Sequence, residues 1–511
     1  MGPIAAEQWA RTILRSSRLA VTLLAAGLIA FFYYIAIHRF RFPLQLEWIE
    51  GAVLDMVRRA ANHQPIYAAP NRTYVALIYT PVYIYVSAWL SRLVGVNLVA
   101  LRVVSILATT GCFIAIFSYV KRFTRDNFSA LLACGLFAAL YAQCEAWYDL
   151  GRVDMLYLFF LLLAIDAAQR GLPIWSAIAF TLAFQTKQSA AVIAIFVLAH
   201  EIHRPKKLIE GLGTFALAAG LSSWWFNHET KGWYRYYTVF LPSHHSWMMS
   251  KAVTYMLHDL IIPLGIALLL IIVASIPVLL HKTYDRRQLY FYVFSTVGIL
   301  LSTLSSRLHL GGSANVDLPL YAGVCILFGL SISTILSWGG KLQSPTAEAL
   351  QAAIVVACGV QLIQLFHSPR EFIPKQPQFA YAAKIEENLR SMHGEIFVFH
   401  NVVDSGSIGD RRLANWMAVW DVLRADQGPA GQALRTELID SFTQREYAGV
   451  LSEDAPNDLF PWEVDSMKEI TDAAASAYPK RERLVPLNEW TSLYFNSSMP
   501  SIRPQFLYKP R

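Results

Sequence analysis

Long apolar runs recur along the first 366 residues, separated by short stretches dense in charge and aromatic rings. The first run, Leu19 to Ile37, follows Arg11, Arg15 and Arg18. It is long enough to span a bilayer and too long for a signal-peptide core, which predicts a retained first helix with a cytoplasmic N-terminus. Further spans are predicted near 99–120, 127–143, 154–169, 172–185, 189–202, 208–226, 259–280, 288–305, 317–337 and 349–366. Val75 to Val94 reads differently. Its centre, IYTPVYIYVSAW, is rich in aromatics and contains Pro81. Because Tyr and Trp favour the headgroup level, this stretch is expected to be a juxtamembrane helix lying on the surface. Short loops then place fourteen Lys+Arg on the N-terminal side against six on the other, the asymmetry that marks the cytoplasmic face. Eleven spans follow, with the tail outside.

Beyond residue 366 the pattern changes. YAAKIEENLRSM and RRLANWMAVWDVLRA have helical spacing, while GEIFVFH and YAGVLS read as short strands. The expected domains are therefore 1–366, membrane-embedded, and 367–511, a small extracytoplasmic α/β unit. SGSIGDRR is a turn-rich loop, and a phosphate-binding role for it is a minor reading.

Composition sharpens the class. The 511 residues are 55% hydrophobic and 15% charged, against about 25% charged in soluble domains. Of the net +7, the tail carries −4 and the rest +11. A soluble enzyme, a disordered chain and a nucleic-acid binder are excluded, and the positive charge is a topology signal. All five cysteines lie in or beside apolar segments without CxxC or Cys/His spacing, so no disulfide framework or zinc site is expected. No P-loop or GxGxxG motif offers a nucleotide site.

The predicted topology gathers unusual polar residues on the outer face. The first outer loop holds Glu47, Glu50, Asp55, Arg58 and Arg59, and the second holds Glu145, Asp149, Arg152 and Asp154. A tight QTKQS turn carries Lys187, and the aromatic loop HETKGWYRYYTVFLPSHHSW carries Tyr237, His244 and His245. SSRLHLGGSANVD adds Arg307 and His309 beside a Gly-Gly pair. Ionisable groups at membrane depth cost about 2.5–3.5 kcal/mol or more each and persist where they pair or work. Carboxylates here can deprotonate an acceptor hydroxyl or amine. Arg and Lys at the hydrocarbon boundary suit a lipid-linked phosphate, and the aromatics offer flat faces for a sugar or prenyl chain. Plainer readings stand beside these. Asp154 opens a span and could cap it, Arg152 could simply pair with Asp154, Asp55 could pair with Arg58 or Arg59, and His244/His245 make only a weak metal pair. Asp166 reads as structural.

EGAVLDMVRRAANHQPIY, IYTPVYIY, LGRVDMLYL, TKQSA, GWYRYYTVFLP and GGSANVDLPL, in this order and spacing, resemble the GT-C superfamily of polyprenyl-phosphate-sugar glycosyltransferases. The resemblance is to the branch with protein O-mannosyltransferases and the lipid A aminoarabinose transferase (glycosyltransferase family 39-like). It covers roughly residues 1–366. It implies a GT-C-like polytopic helical fold, a lipid-linked sugar donor, an extracytoplasmic acceptor (glycan, lipid or protein) and a single inverting displacement. Laid from Glu50 to Tyr67, Glu50 falls where the family's catalytic Asp stands, but Glu replaces Asp and Gly51 replaces its acidic neighbour, so Glu47 competes as base. Asp154 would bind the acceptor or position the base. Lys187 and Arg307 would hold the donor phosphate, with Arg152, Tyr237 and His244 as further donor contacts. No cofactor is called for, although some relatives use a divalent metal. The expectation is a multi-pass glycosyltransferase of the inner (plasma) membrane, its site periplasmic or extracytoplasmic. A lipid-linked saccharide transporter or flippase and a polysaccharide polymerase or ligase are the alternatives.

Overall fold

The computed structural model describes residues 3–280, 285–342, 345–399, 413–452, 465–484 and 506–510. Helices form wherever a span was expected: Pro3–Arg39, Leu98–Thr124, Asn127–Ala139, Asp154–Gln169, Pro173–Phe184, Ala190–Ala199, Pro205–Glu229, Ile262–Leu280, Arg286–Arg307, Leu318–Leu342 and Pro345–Gln364. Six helical stretches among the described residues are long and apolar enough to cross a membrane, and they contain five of these helices whole or nearly so together with Ile262–Pro277. Asn127–Ala139, Pro173–Phe184 and Ala190–Ala199 are apolar but only 10–13 residues long. At about 1.5 Å per residue each falls short of a hydrocarbon core of roughly 30 Å. Eleven full-length crossings therefore remain a reading of the sequence.

Side chains divide as they do in a lipid-facing bundle. Leu19, Leu23, Leu107, Ile114, Leu269 and Ile272 point outward, while Ala25, Phe32, Cys112, Leu132 and Leu161 are buried. All five cysteines are buried and free. Asn97 and Asp126 start their helices by accepting backbone N–H bonds, from Ala100 and from Phe128 and Ser129 respectively. Asp166 pairs with Arg122 and Arg170, and Asp55 pairs with Arg58. Val82–Val94 is a 13-residue helix with Tyr83 and Ile84 buried.

Gly135 allows the Asn127–Ala139 helix to close on the first helix. A Cβ there would come within 2.8 Å of the Ala25 Cα, an approach that backbone cannot relieve. Gly135→Val is expected to cost about 1–3 kcal/mol by overpacking, measured as earlier thermal unfolding in detergent.

In the C-terminal region, β1 (Ile396–Val398) and β2 (Gly449–Ser452) arise where strands were expected. They are joined by β3 (Lys480–Arg483) and β4 (Phe506–Lys509). The sheet order is β1-β2-β4-β3, with β1 and β2 parallel and the other pairs antiparallel. The expected helices appear as Gln376–Arg390 and Trp416–Ala425, and SGSIGDRR lies outside the described residues. This region rests on the loops of the helical part. The Ala414 N–H donates to the Arg72 carbonyl at 2.8 Å, the Tyr236 hydroxyl donates to Asp426 at 2.7 Å, and the Arg72 guanidinium reaches Ser441 and Glu446.

Candidate active site

Two buried ion pairs fix the loop that follows the first helix. Arg102 donates through Nε and Nη2 to the two oxygens of Glu50, at 3.0 and 2.7 Å. Its remaining N–H groups go to the carbonyls of Phe40, Phe42 and Leu44. Glu50 also accepts the backbone N–H groups of Leu46 and Gly151, both at 2.7 Å. Burial alone would raise the Glu50 pKa, but Arg102 and these N–H groups outweigh it and hold the carboxyl below its ordinary value. The second pair joins Arg39 to Asp149 at 3.1 Å, and Tyr141 bonds to both. Together the pairs clamp the first and second outer loops to the helix bundle.

Glu47 stands on this clamp and lines a cavity of about 510 Å³. Its Oε2 accepts from Arg152 Nη1 at 2.5 Å and from the Ile49 N–H at 3.0 Å, while Oε1 is buried without a hydrogen-bond partner. Burial pushes the Glu47 carboxyl above its ordinary value despite the neighbouring Arg152. Arg152 lies 4.5 Å from the Trp147 ring and donates to the Tyr79 hydroxyl at 2.6 Å. Burial lifts that hydroxyl to about 12, so it remains protonated.

Lys187 sits in the break between Pro173–Phe184 and Ala190–Ala199 and also lines the cavity. Its Nζ donates to Asp154 Oδ1 at 2.7 Å, and Asn315 donates to the same oxygen at 2.9 Å. Asp154 Oδ2 has no partner. The Asp154 side chain makes no cap bond to its helix. It works across elements, aiming the ammonium.

Of the remaining expected residues, His309 lines the cavity, whereas Glu50, Arg307, Tyr237 and His244 lie apart from its wall. Glu50 is fully buried with both oxygens engaged, and it does not line the cavity. Arg307 is tied to Asp259 at 2.8 Å and to the Gly312 carbonyl at 2.7 Å, bracing the Gly-Gly turn from behind. The buried Tyr237 donates to the Ala68 carbonyl, and the exposed His244 packs on Phe240. Neither lines the cavity. The neighbouring His245 does, and burial together with Arg424 lowers it to about 3, leaving a neutral imidazole.

Sequence reasoning missed Tyr79, Trp147, Asn315, Trp420, Asp421 and Arg424, all of which line the cavity. Tyr79 and Asn315 stood inside motifs that had been singled out. The last three share a face of the Trp416–Ala425 helix by i, i+1, i+4 spacing, but spacing alone could not show what that face meets. Among the described residues no group of three or more His, Cys, Asp or Glu side chains could hold a metal ion.

The model of glycosyltransferase family 87 matches residues 77–307, which include Tyr79, Arg152 and Lys187. No curated protein matches the chain. Among solved structures, the fold is similar to ArnT from Cupriavidus metallidurans bound to undecaprenyl phosphate, at 11% identity over 75% of this chain and 83% of that one, with TM-score 0.47. The apo form of the same protein aligns at 16% identity over 72% and 69%, with TM-score 0.44. The family match makes the chain a glycosyltransferase, and its long apolar helices make it a multi-pass membrane enzyme.

Proposed function

We propose that the chain moves a sugar from a polyprenyl-phosphate donor to an acceptor on the extracytoplasmic side of the inner (plasma) membrane, with inversion. The N-terminus is cytoplasmic, and the 367–511 unit covers the site from outside. The observation that carries this reading is the unpartnered oxygen of Glu47, a residue that lines one cavity together with Arg152 and Lys187.

In the reaction, Glu47 Oε1 takes the proton of the acceptor nucleophile. The nucleophile forms its bond to the anomeric carbon as the bond from that carbon to the phosphate oxygen breaks. The electron pair leaves with the polyprenyl phosphate. Lys187, aimed by Asp154 and Asn315, and Arg152, stacked on Trp147, compensate the charge growing on that phosphate. The aromatic walls, among them Tyr79, Trp147 and Trp420, strengthen these interactions once bound substrate displaces water. The catalytic base is thus Glu47, while Glu50 and Arg307 are positioning residues.

Lys187→Gln tests the phosphate assignment. Charge-assisted bonds contribute about 1.5–3 kcal/mol, so polyprenyl-phosphate affinity is expected to fall roughly tenfold or more, as measured by titration in nanodiscs. Unchanged affinity in a folded variant would remove Lys187 from the donor site.

A further inference from the structure

The Trp416–Ala425 helix, which belongs to the C-terminal region, brings Trp420, Asp421 and Arg424 to the wall of the cavity. Arg424 is almost wholly buried there. Its Nη2 donates to Asp421 Oδ1 at 2.7 Å and approaches the His245 ring at 3.1 Å, and its guanidinium lies 3.8 Å from the Trp420 ring centre. Its Nε donates to His245 Nε2 at 3.3 Å, which leaves Nη1 buried with no hydrogen-bond partner, and the same holds for Trp420 Nε1. The Gly311–Gly312 turn gives the guanidinium room. Gly311 has φ +90°, and a Cβ there would sit 3.4 Å from Arg424 Nη2. His245 stays neutral, so it adds a ring N–H or lone pair and no competing charge.

Two buried donors without acceptors, one of them cationic, ask for an oxygen-rich anion. Asp421 is the one carboxylate bonded to Arg424 among the described residues, and it uses only part of the guanidinium fork. We infer that Arg424 and Trp420 form an anion subsite, supplied by the C-terminal region, that takes a phosphate group within the active-site cavity. The inference rests on the glycosyltransfer reading and deepens it: the catalytic cavity is composite, incomplete without the Trp416–Ala425 helix. The phosphate can come from the acceptor or from the donor lipid, and the two sources are separable.

The test uses the full chain in nanodiscs and inorganic phosphate, followed by phosphorus NMR titration with and without saturating polyprenyl phosphate. If the acceptor supplies the anion, inorganic phosphate binds in both conditions. If the donor supplies it, polyprenyl phosphate displaces it. In either case Arg424→Gln weakens the binding of the phosphate probe roughly tenfold or more, and Arg424→Lys restores part of it. Thermal unfolding of both variants confirms that they fold. Two results overturn the inference: phosphate titrations alike in wild type and folded Arg424→Gln, or no phosphate binding to wild type in either condition. Lys187→Gln run alongside separates the two readings. Loss of polyprenyl-phosphate affinity there, with Arg424→Gln like wild type for both probes, removes this subsite and leaves the proposed reaction standing. Wild type that binds inorganic phosphate through Arg424 but no polyprenyl phosphate keeps the subsite and removes the proposed donor.

Discussion

Glu47→Gln is expected to lower sugar transfer by roughly a hundred- to ten-thousand-fold, the usual contribution of a general base, while donor binding stays close to wild type. The amide keeps the side chain's shape and can still accept from the Ile49 N–H, but it cannot act as a proton acceptor as the carboxylate does. The pH profile follows from the same residue. The proposed base Glu47 must be deprotonated to act, so activity is expected to fall as the pH drops through its pKa. Burial raises that pKa against the pull of Arg152, so the acid limb is expected above the ordinary carboxylate range of about 4.3. Turnover against pH for wild type, with donor affinity measured at each point, checks both statements. Full transfer by Glu47→Gln would pass the base to another carboxylate.

Glu50→Ala has an equally large but different effect. It leaves Arg102 buried with its charge uncompensated and frees the N–H groups of Leu46 and Gly151. Breaking a buried pair from one side costs about 3–5 kcal/mol, a large share of a marginal total stability. The expected outcome is poor yield of folded protein and early unfolding in detergent. Arg102→Ala should match it, because the guanidinium also holds the Phe42 and Leu44 carbonyls. The double variant Glu50→Leu/Arg102→Met should recover part of the stability, since no lone charge remains. Molecules of the double variant that fold should still turn over, because neither residue lines the cavity. A folded, stable Glu50→Ala without activity would instead return Glu50 to the chemistry.

Much of the helical framework was legible because apolar length is a strong signal. Asp154–Gln169 begins and ends where the hydrophobic pattern places it, and the QTKQS break appears between two short helices. The outer-loop charges were legible as a group: Glu47, Arg152, Asp154 and Lys187 do converge. Their individual partners were not. Arg152 pairs with Glu47 across 105 positions, whereas adjacency in sequence suggested Asp154. Glu50 and Glu47 are three residues apart, and only the fold shows that Arg102 claims one and leaves the other an oxygen to spare. Arg102 sits inside an apolar helix and drew no notice, although a buried arginine needs a carboxylate partner somewhere. The Arg424 face was illegible for a different reason. A polar helix face looks alike whether it meets water or a cavity, and the contact that decides between them lies far away in the chain.

The most direct test is transfer of labelled sugar from polyprenyl-phosphate donors by the purified protein in nanodiscs, with movement of labelled donor between leaflets followed in liposomes. The predicted result is transfer or donor hydrolysis that releases polyprenyl phosphate, with no leaflet exchange beyond protein-free liposomes. Donor that binds and crosses the bilayer with its sugar still attached, across a broad panel of sugars, would contradict the account and make the cavity a transport site.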